Sequence, residues 1–477
     1  MLSSCATGLN AQPPTLAITG INVVDVNRGT IVSNQTVIVS GGRIQSVGPA
    51  DQIRIAANAH RVAGGGRFLI PGLWDMHVHL RSDQRNPTVR IVEANEAMLD
   101  LFLPNGVTGI REMGGDLADE VIRWRDEIAA GKRIGPRIVT AGRKIDREPP
   151  AWAGSLGVTT EAEAREAVRQ IRQSGADFVK SYFNDVPPNV LRAVVDEAHK
   201  LNLRLTGHKP INISIQDFLD SGMDGMEHAQ YLPASTAEEY ASFVKDRSRR
   251  LATKWAMDGP ESYARLLAMQ DKEQTAAVYR RMAEKKFWVT PTLAVYDHDI
   301  GAGTTDYELD ARKRYFLPAI WATWDTKTAF RTTLQGRALD IRTASVKVWQ
   351  TETVAAHKAG VPMLLGTDTG ANNFHVMPGW SVHEEMAALA KAGLSAADVL
   401  RMATINAARW RGEDAKEGTV ETGKVADLVV LRSNPLTAIR HTQEVDAVFK
   451  GGRFYSRAEL DGMLDRAAKR VAVEASK

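Results

Sequence analysis

Pro71-Gly72-Leu73-Trp74-Asp75-Met76-His77-Val78-His79-Leu80 follows the hydrophobic lead-in Arg67-Phe68-Leu69-Ile70 and carries two histidines at i and i+2. On an extended segment, side chains two apart point to the same side. His77 and His79 can therefore grip one ion together from the end of a buried strand. A His-x-His pair alone also has a packing explanation. Its weight depends on what the rest of the chain brings to it.

Upstream the pattern is β. Leu16 to Val26 and Thr36 to Ser40 are short apolar-alternating runs, Gly41-Gly42 is a hairpin signal, and Arg43 to Gly48 returns. More strands come only at the other end, in Val425 to Leu431 and in Ala447 to Tyr455, again with a Gly-Gly turn. The two ends are expected to pair into one β-sandwich domain, residues 16–67 plus 418–457, interrupted by a large insertion. Residues 1–15 read as a flexible lead-in and 458–477 as a C-terminal helix.

Between the ends, strand-like and helix-like segments alternate. Thr108–Arg111, Arg137–Ala141, Asp177–Lys180, Arg204–His208, Gly225–His228, Phe287–Thr290 and Val361–Gly366 are short, partly apolar runs. Amphipathic stretches such as Glu161–Ser174 and Pro188–Leu201 separate them. With the Phe68–Trp74 run there are eight strands, which predicts a (β/α)8 TIM barrel over 68–417. Two connections, about 233–286 and 294–360, are longer than a barrel needs and helical in pattern. They read as a lid over the active-site face or as an oligomer contact.

Further donors fall at strand ends. Lys180 ends the fourth strand, His208 the fifth, His228 the sixth and Asp368 the eighth. With His77 and His79, six candidate ligands occupy the face where barrel enzymes place their chemistry. Singly, a lysine after an apolar run is a surface residue and a strand-end histidine is packing. Four histidines, a lysine and an aspartate in this order and phase are a metal site.

Composition excludes several classes. The 477 residues are 44% hydrophobic and 25% charged, ordinary globular values, and 60 basic against 57 acidic residues leave a net charge of +3. That is no nucleic-acid footprint, and no run is long and apolar enough for a membrane span. The single cysteine rules out an intramolecular disulfide. Met1-Leu2-Ser3-Ser4-Cys5-Ala6 resembles a bacterial lipoprotein cleavage box, without the charged and apolar regions that precede one. The expectation is a periplasmic or secreted protein with a lipid anchor at Cys5; the alternative is a cytoplasmic one.

These residues carry a family resemblance. From the opening β segment through Pro71–His79, Glu227-His228, Gly366-Thr367-Asp368, Thr404–Ala408 and Gly418–Leu431, the chain resembles the amidohydrolase superfamily. The branch it resembles holds Xaa-Pro dipeptidase-like, imidazolonepropionase-like and ochratoxinase-like enzymes. The resemblance implies a TIM barrel with a flanking β-sandwich, two divalent ions (Zn²⁺ suits imidazole and carboxylate donors) and a homo-oligomer. It implies that His77, His79 and Asp368 hold one ion and His208 and His228 the other. Lys180 would react with CO2 to give a bridging carbamate. Two ions about 3.5–4 Å apart would activate a water between them. Asp368 would take its proton and pass it to the leaving group, while one ion, with His208, would polarise the scissile carbonyl. The mononuclear deaminase branch would show a helical His-x-x-Glu setting. Glu227 merely precedes His228, which favours the binuclear hydrolytic form.

The expected reaction is hydrolysis of a C–N amide bond in a dipeptide or N-acyl amino acid. The alternative is the same machinery acting on a cyclic amide, lactone, carbamate or amide-linked toxin; a non-catalytic scaffold is the least favoured reading, because no ligand is missing. Tyr182, Tyr231 and His375 are candidate substrate contacts, each with a packing alternative. His383, Lys209, Arg143 and Lys144 read as surface or solvated groups.

Overall fold

The computed structural model describes residues 15–80, 92–232, 268, 271–302, 305–324, 334–370, 373 and 375–476. Cys5 and the lead-in before Thr15 lie outside the described residues, as does most of the 233–286 connection. Strands β1 (Leu16–Asp25), β2 (Thr30–Ser40), β3 (Arg43–Pro49), β4 (His60–Ala63) and β5 (Phe68–Pro71) open the chain. Asp25 turns β1 toward β2 by accepting the amides of Asn27 and Arg28 on Oδ1, each at 3.0 Å. Gly41 and Gly42 follow β2 at φ +57° and +78°, the pair of positive values that a tight turn matched to strand twist requires.

Pro71-Gly72 is where the chain changes sheets. The sequence reads Phe68–Trp74 as one strand, but Phe68–Pro71 pairs with β1 in the flanking sheet and the barrel strand is β6, Leu73–Val78. Hydrophobic continuity across the junction hides the switch, because both strands are buried. A Cβ on Gly72 would stand 2.0 Å from Thr108 Oγ1, so only glycine lets the strand start this close to its neighbour. Gly72→Ala is expected to cost about 1–3 kcal/mol, read as a lower urea midpoint with unchanged slope.

The barrel strands are β6, β7 (Val107–Glu112), β8 (Arg137–Thr140), β11 (Val179–Ser181), β12 (Leu205–Gly207), β13 (Gly225–Glu227) and β14 (Trp288–Thr290), with short β9 (Ile145–Arg147) and β10 (Leu156–Val158) between β8 and β11. Pairing is parallel from β6 through β8 and from β11 through β14. The Asp177 amide, donating to Thr140 O at 2.8 Å, ties the two arcs together. The eighth run is not a regular strand. Pro362 has no N–H to give a ladder, yet Leu364 N donates to Val289 O at 2.9 Å and Met76 N to Leu365 O at 2.8 Å. The run thus closes the ring between β14 and β6. Outside, the helix Glu161–Gln173 starts on a Thr160/Glu163 capping box and buries Ala164, Val168 and Ile171. The helix Pro188–Lys200 starts on proline and buries Val190, Leu191 and Val194.

Strands β15 (Leu428–Leu431), β16 (Val445–Lys450) and β17 (Arg453–Ser456) return to the first sheet, where β15 pairs antiparallel with β5. The order is β17-β16-β15-β5-β1-β2-β3, with β4 on β1. The sheet rolls until Ala426 N reaches Gly42 O at 2.9 Å and Gly452 N reaches Ala426 O at 3.0 Å. Ile18, Val37, Leu69, Leu428 and Phe449 are sealed inside. The flanking β layers are therefore one rolled sheet built from both chain ends. The described part of the 294–360 connection is helical and folds onto its own subunit: Phe316, Trp321 and Trp324 pack with Met377 and with Ala467 of the C-terminal helix Arg457–Ala475.

Candidate metal centre

All six candidate ligands lie at one end of the barrel. His77 is on β6 and His79 just beyond it, where a register shift between Asp75 and Val78 marks a bulge, a device that re-aims side chains. Lys180 is central in β11, and His208 and His228 follow β12 and β13 directly. His228 and Asp368 have φ of +74° and +57°, values uncommon for residues with a Cβ. Hydrogen bonds hold both: His228 N donates to Thr290 O and Asp368 N to His77 O, each at 2.8 Å. Asn373 Nδ2 also donates to Asp368 O.

His77 Nε2 and His79 Nε2 both stand 3.2 Å from Asp368 Oδ1, so the i, i+2 pair does converge. His77 Nδ1 faces Glu227 Oε2 at 2.8 Å and His79 Nδ1 faces Gly114 O at 3.3 Å. Each Nδ1 meets an acceptor, which puts the ring proton there and turns a bare Nε2 lone pair toward a carboxylate oxygen. Lone pairs facing one another are at ease only around a cation. His77, His228 and Asp368 bring donor atoms within 4.8 Å of one another. His228 Nε2 and His208 Nε2 are 2.9 Å apart, with His228 Nδ1 on Thr292 Oγ1 at 2.9 Å. Two imidazoles on one tetrahedral Zn²⁺ would hold their nitrogens about 3.3 Å apart. Burial is the main force pushing both rings down, His208 well below its ordinary value and His228 to about 3. Neutral imidazole is the form that ligates a metal.

Lys180 is wholly buried, and its Nζ has no hydrogen-bond partner. Burial pulls its ammonium down to about 8, against the opposing charges of Glu227 and Asp368. An unpartnered buried ammonium is costly, whereas an amine modified to an anion would suit the cationic surroundings of a metal pair. The donor set therefore fits a metal site built on His77, His228 and Asp368, with the other candidates beside it.

Behind the histidines lies a network that sequence reasoning missed. Arg111 Nη2 donates to both oxygens of Glu227 at 2.9 Å and to Thr290 Oγ1 at 3.0 Å, while Thr206 Oγ1 donates to Glu227 Oε1 at 2.6 Å. Arg111 also lies over Trp410 at 4.6 Å. Glu227 thereby fixes the His77 tautomer. A charged residue at each of two inward strand positions was the available signal. Glu227→Gln leaves Arg111 buried without its counter-charge and is expected to destabilise by about 3–5 kcal/mol, measured by denaturant unfolding.

The weaker candidates divide. The Tyr182 ring is 4.2 Å from that of His208, and Tyr231 OH is 3.5 Å from His208 Nδ1. His375 instead stacks on Tyr307 at 3.5 Å and touches Trp321 and Trp324. Among the described residues no hydrogen bond or ring contact joins it to the four site histidines. His383 is buried, not superficial, held by Thr442 Oγ1 and Asn105 O. Lys209 donates to the carbonyls of Pro210 and Ile213. Lys144 is buried over the rings of Trp152 and Tyr182, at 5.2 and 5.6 Å, so neither lysine is a solvated charge.

A barrel with this site at its strand ends matches the model of the amidohydrolase family over residues 68–246 and 332–455. The chain belongs to the amidohydrolase family and is a hydrolytic enzyme acting on carbon–nitrogen bonds. It is 23% identical over 485 residues to ochratoxinase of Aspergillus niger, covering 90% of this chain and 84% of that one. The structure of a bottromycin amidohydrolase superposes with a TM-score of 0.73 at 22% identity, covering 97% of this chain and 91% of that one. A Xaa-Pro dipeptidase with bound methionine gives 0.66 at 20%, covering 93% and 100%.

Proposed function

We propose that the chain is a binuclear metal-dependent amidohydrolase that cleaves the amide bond of a dipeptide or N-acyl amino acid. The observation that carries this reading is the convergence of four imidazoles and Asp368 around the unpartnered Nζ of Lys180. His77, His79 and Asp368 would hold one ion, His208 and His228 the second, and a carbamate on Lys180 would bridge them. Two such ions supply Lewis acidity and lower the pKa of water from about 15.7 to about 7. Asp368 accepts the proton of the attacking water and returns it to the departing nitrogen. His208 orients the scissile carbonyl, with Tyr182 and Tyr231 beside it as substrate contacts.

The test combines metal analysis with a substrate panel. About two ions per chain and turnover of dipeptides or N-acyl amino acids are expected, with activity lost to chelation and restored by Zn²⁺. Metal-free protein at full rate would sink the reading. The likeness to ochratoxinase favours one second reading, an amide-linked aryl substrate, and aryl amides and lactones in the same panel decide between the two.

A further inference from the structure

A groove of about 630 Å³ lies between the C-terminal helix Arg457–Ala475, β17, the helix Val92–Met98 with its following turn, and the segment Lys132–Ile134. That segment precedes β8, so the groove sits at the opposite barrel end from the histidines, and nothing in the hydrolytic site accounts for it. Its cations outnumber their partners. Arg133 is engaged by Glu127 and Glu96 at 2.8 and 2.7 Å, and Arg470 reaches Glu96 at 3.7 Å. Glu459 is spent on the amide and hydroxyl of Ser456. Lys132, Arg453 and Arg466 line the groove and form no ion pair among the described residues. Arg453 stacks over Tyr455 at 4.8 Å and acts on the charge of Glu459.

One further group constrains the ligand. Asp100 also lines the groove, and its Oδ2 is buried with no hydrogen-bond partner, although three arginines are near enough to act on its charge. A buried acceptor left unmade is costly, so the missing partner is a donor. Five basic against three acidic side chains line the groove, and that excess of positive charge asks for more than a single negative charge. Guanidinium forks match phosphate oxygens bidentately, and the volume is that of a small-molecule site. We propose that this groove is a second ligand site, for a small phosphorylated metabolite whose phosphate meets Arg453, Arg466 and Lys132 and whose hydroxyl donates to Asp100. The far side of the same helix packs Leu464 and Ala467 into the Trp321, Trp324 and Met377 cluster, which Trp324 and Trp321 extend to His375 in the loop after Asp368.

Calorimetric titration of the metal-loaded full chain at physiological salt tests this, with ribose 5-phosphate, inorganic phosphate, ribose and citrate as probes. Ribose 5-phosphate is expected to bind saturably, with inorganic phosphate weaker and ribose silent. Arg453→Gln and Arg466→Gln are each expected to weaken it by about tenfold or more while basal hydrolysis is unchanged. Asp100→Leu, which removes the acceptor, should erase the preference for ribose 5-phosphate over inorganic phosphate. Both arginines are exposed, so their variants fold. No saturable binding, equal affinity for citrate, or affinity unmoved in the Arg453→Gln/Arg466→Gln double variant would each overturn the proposal.

Discussion

Replacing Asp368 by asparagine is expected to lower kcat/KM by roughly 10²–10⁴-fold, the usual worth of a positioned proton acceptor, with little change in fold stability. The variant keeps the backbone and side-chain shape, and bound metal is measured beside the rate because Asp368 is also a proposed ligand. Asparagine is among the few residues that tolerate a positive φ, so the +57° backbone at this position is preserved. The asparagine amide cannot take up the proton that the carboxylate accepts. The measurement is steady-state kinetics beside a urea unfolding curve. An Asp368→Asn enzyme within a few-fold of the parent would remove Asp368 from proton transfer and leave it a ligand only.

Lys180→Ala is expected to lower the rate by roughly 10³-fold or more and to drop bound metal from about two ions toward about one per chain. Its effect on stability separates this role from a structural one. In metal-free protein the substitution opens a cavity, which costs, but it also removes a buried ammonium that burial holds at about 8, so unfolding stability there should move little. Partial recovery with acetate or propionate is expected, because a small carboxylate can enter the space and supply the missing oxygens. Retention of both ions and of the rate would exclude a carbamate bridge.

Much of this architecture is legible from residue order. His77 and His79 announce themselves because strand geometry sends both rings to one oxygen of Asp368, and Lys180, His208 and His228 keep the same phase relative to their apolar runs. What stays hidden has physical causes. The change of sheet at Pro71-Gly72 leaves no trace in hydropathy, since both strands are buried. Arg111 and Glu227 look like ordinary charges because their pairing lies between distant strands and only three dimensions reveal it. Lys144 and His383 read as surface groups for the same reason, their cover arriving from Trp152, Tyr182 and Thr442 elsewhere in the chain. His375 follows Asp368 closely in sequence, yet its ring is claimed by Tyr307 and two tryptophans.

The rolled sheet has a temporal consequence. Strand β5 ends at Pro71 and is paired on one side by β15, which leaves the ribosome only after the whole barrel. Until then its outer edge offers unpaired amides and carbonyls, the kind of template that invites association between nascent chains. The first metal-site strand begins at Leu73, immediately after that edge. The strand that leads into the hydrolytic centre is therefore fully paired only once the segment beyond the barrel has been made. A chain halted before Leu428 leaves β5, the strand that runs directly into the one carrying His77, without its neighbour.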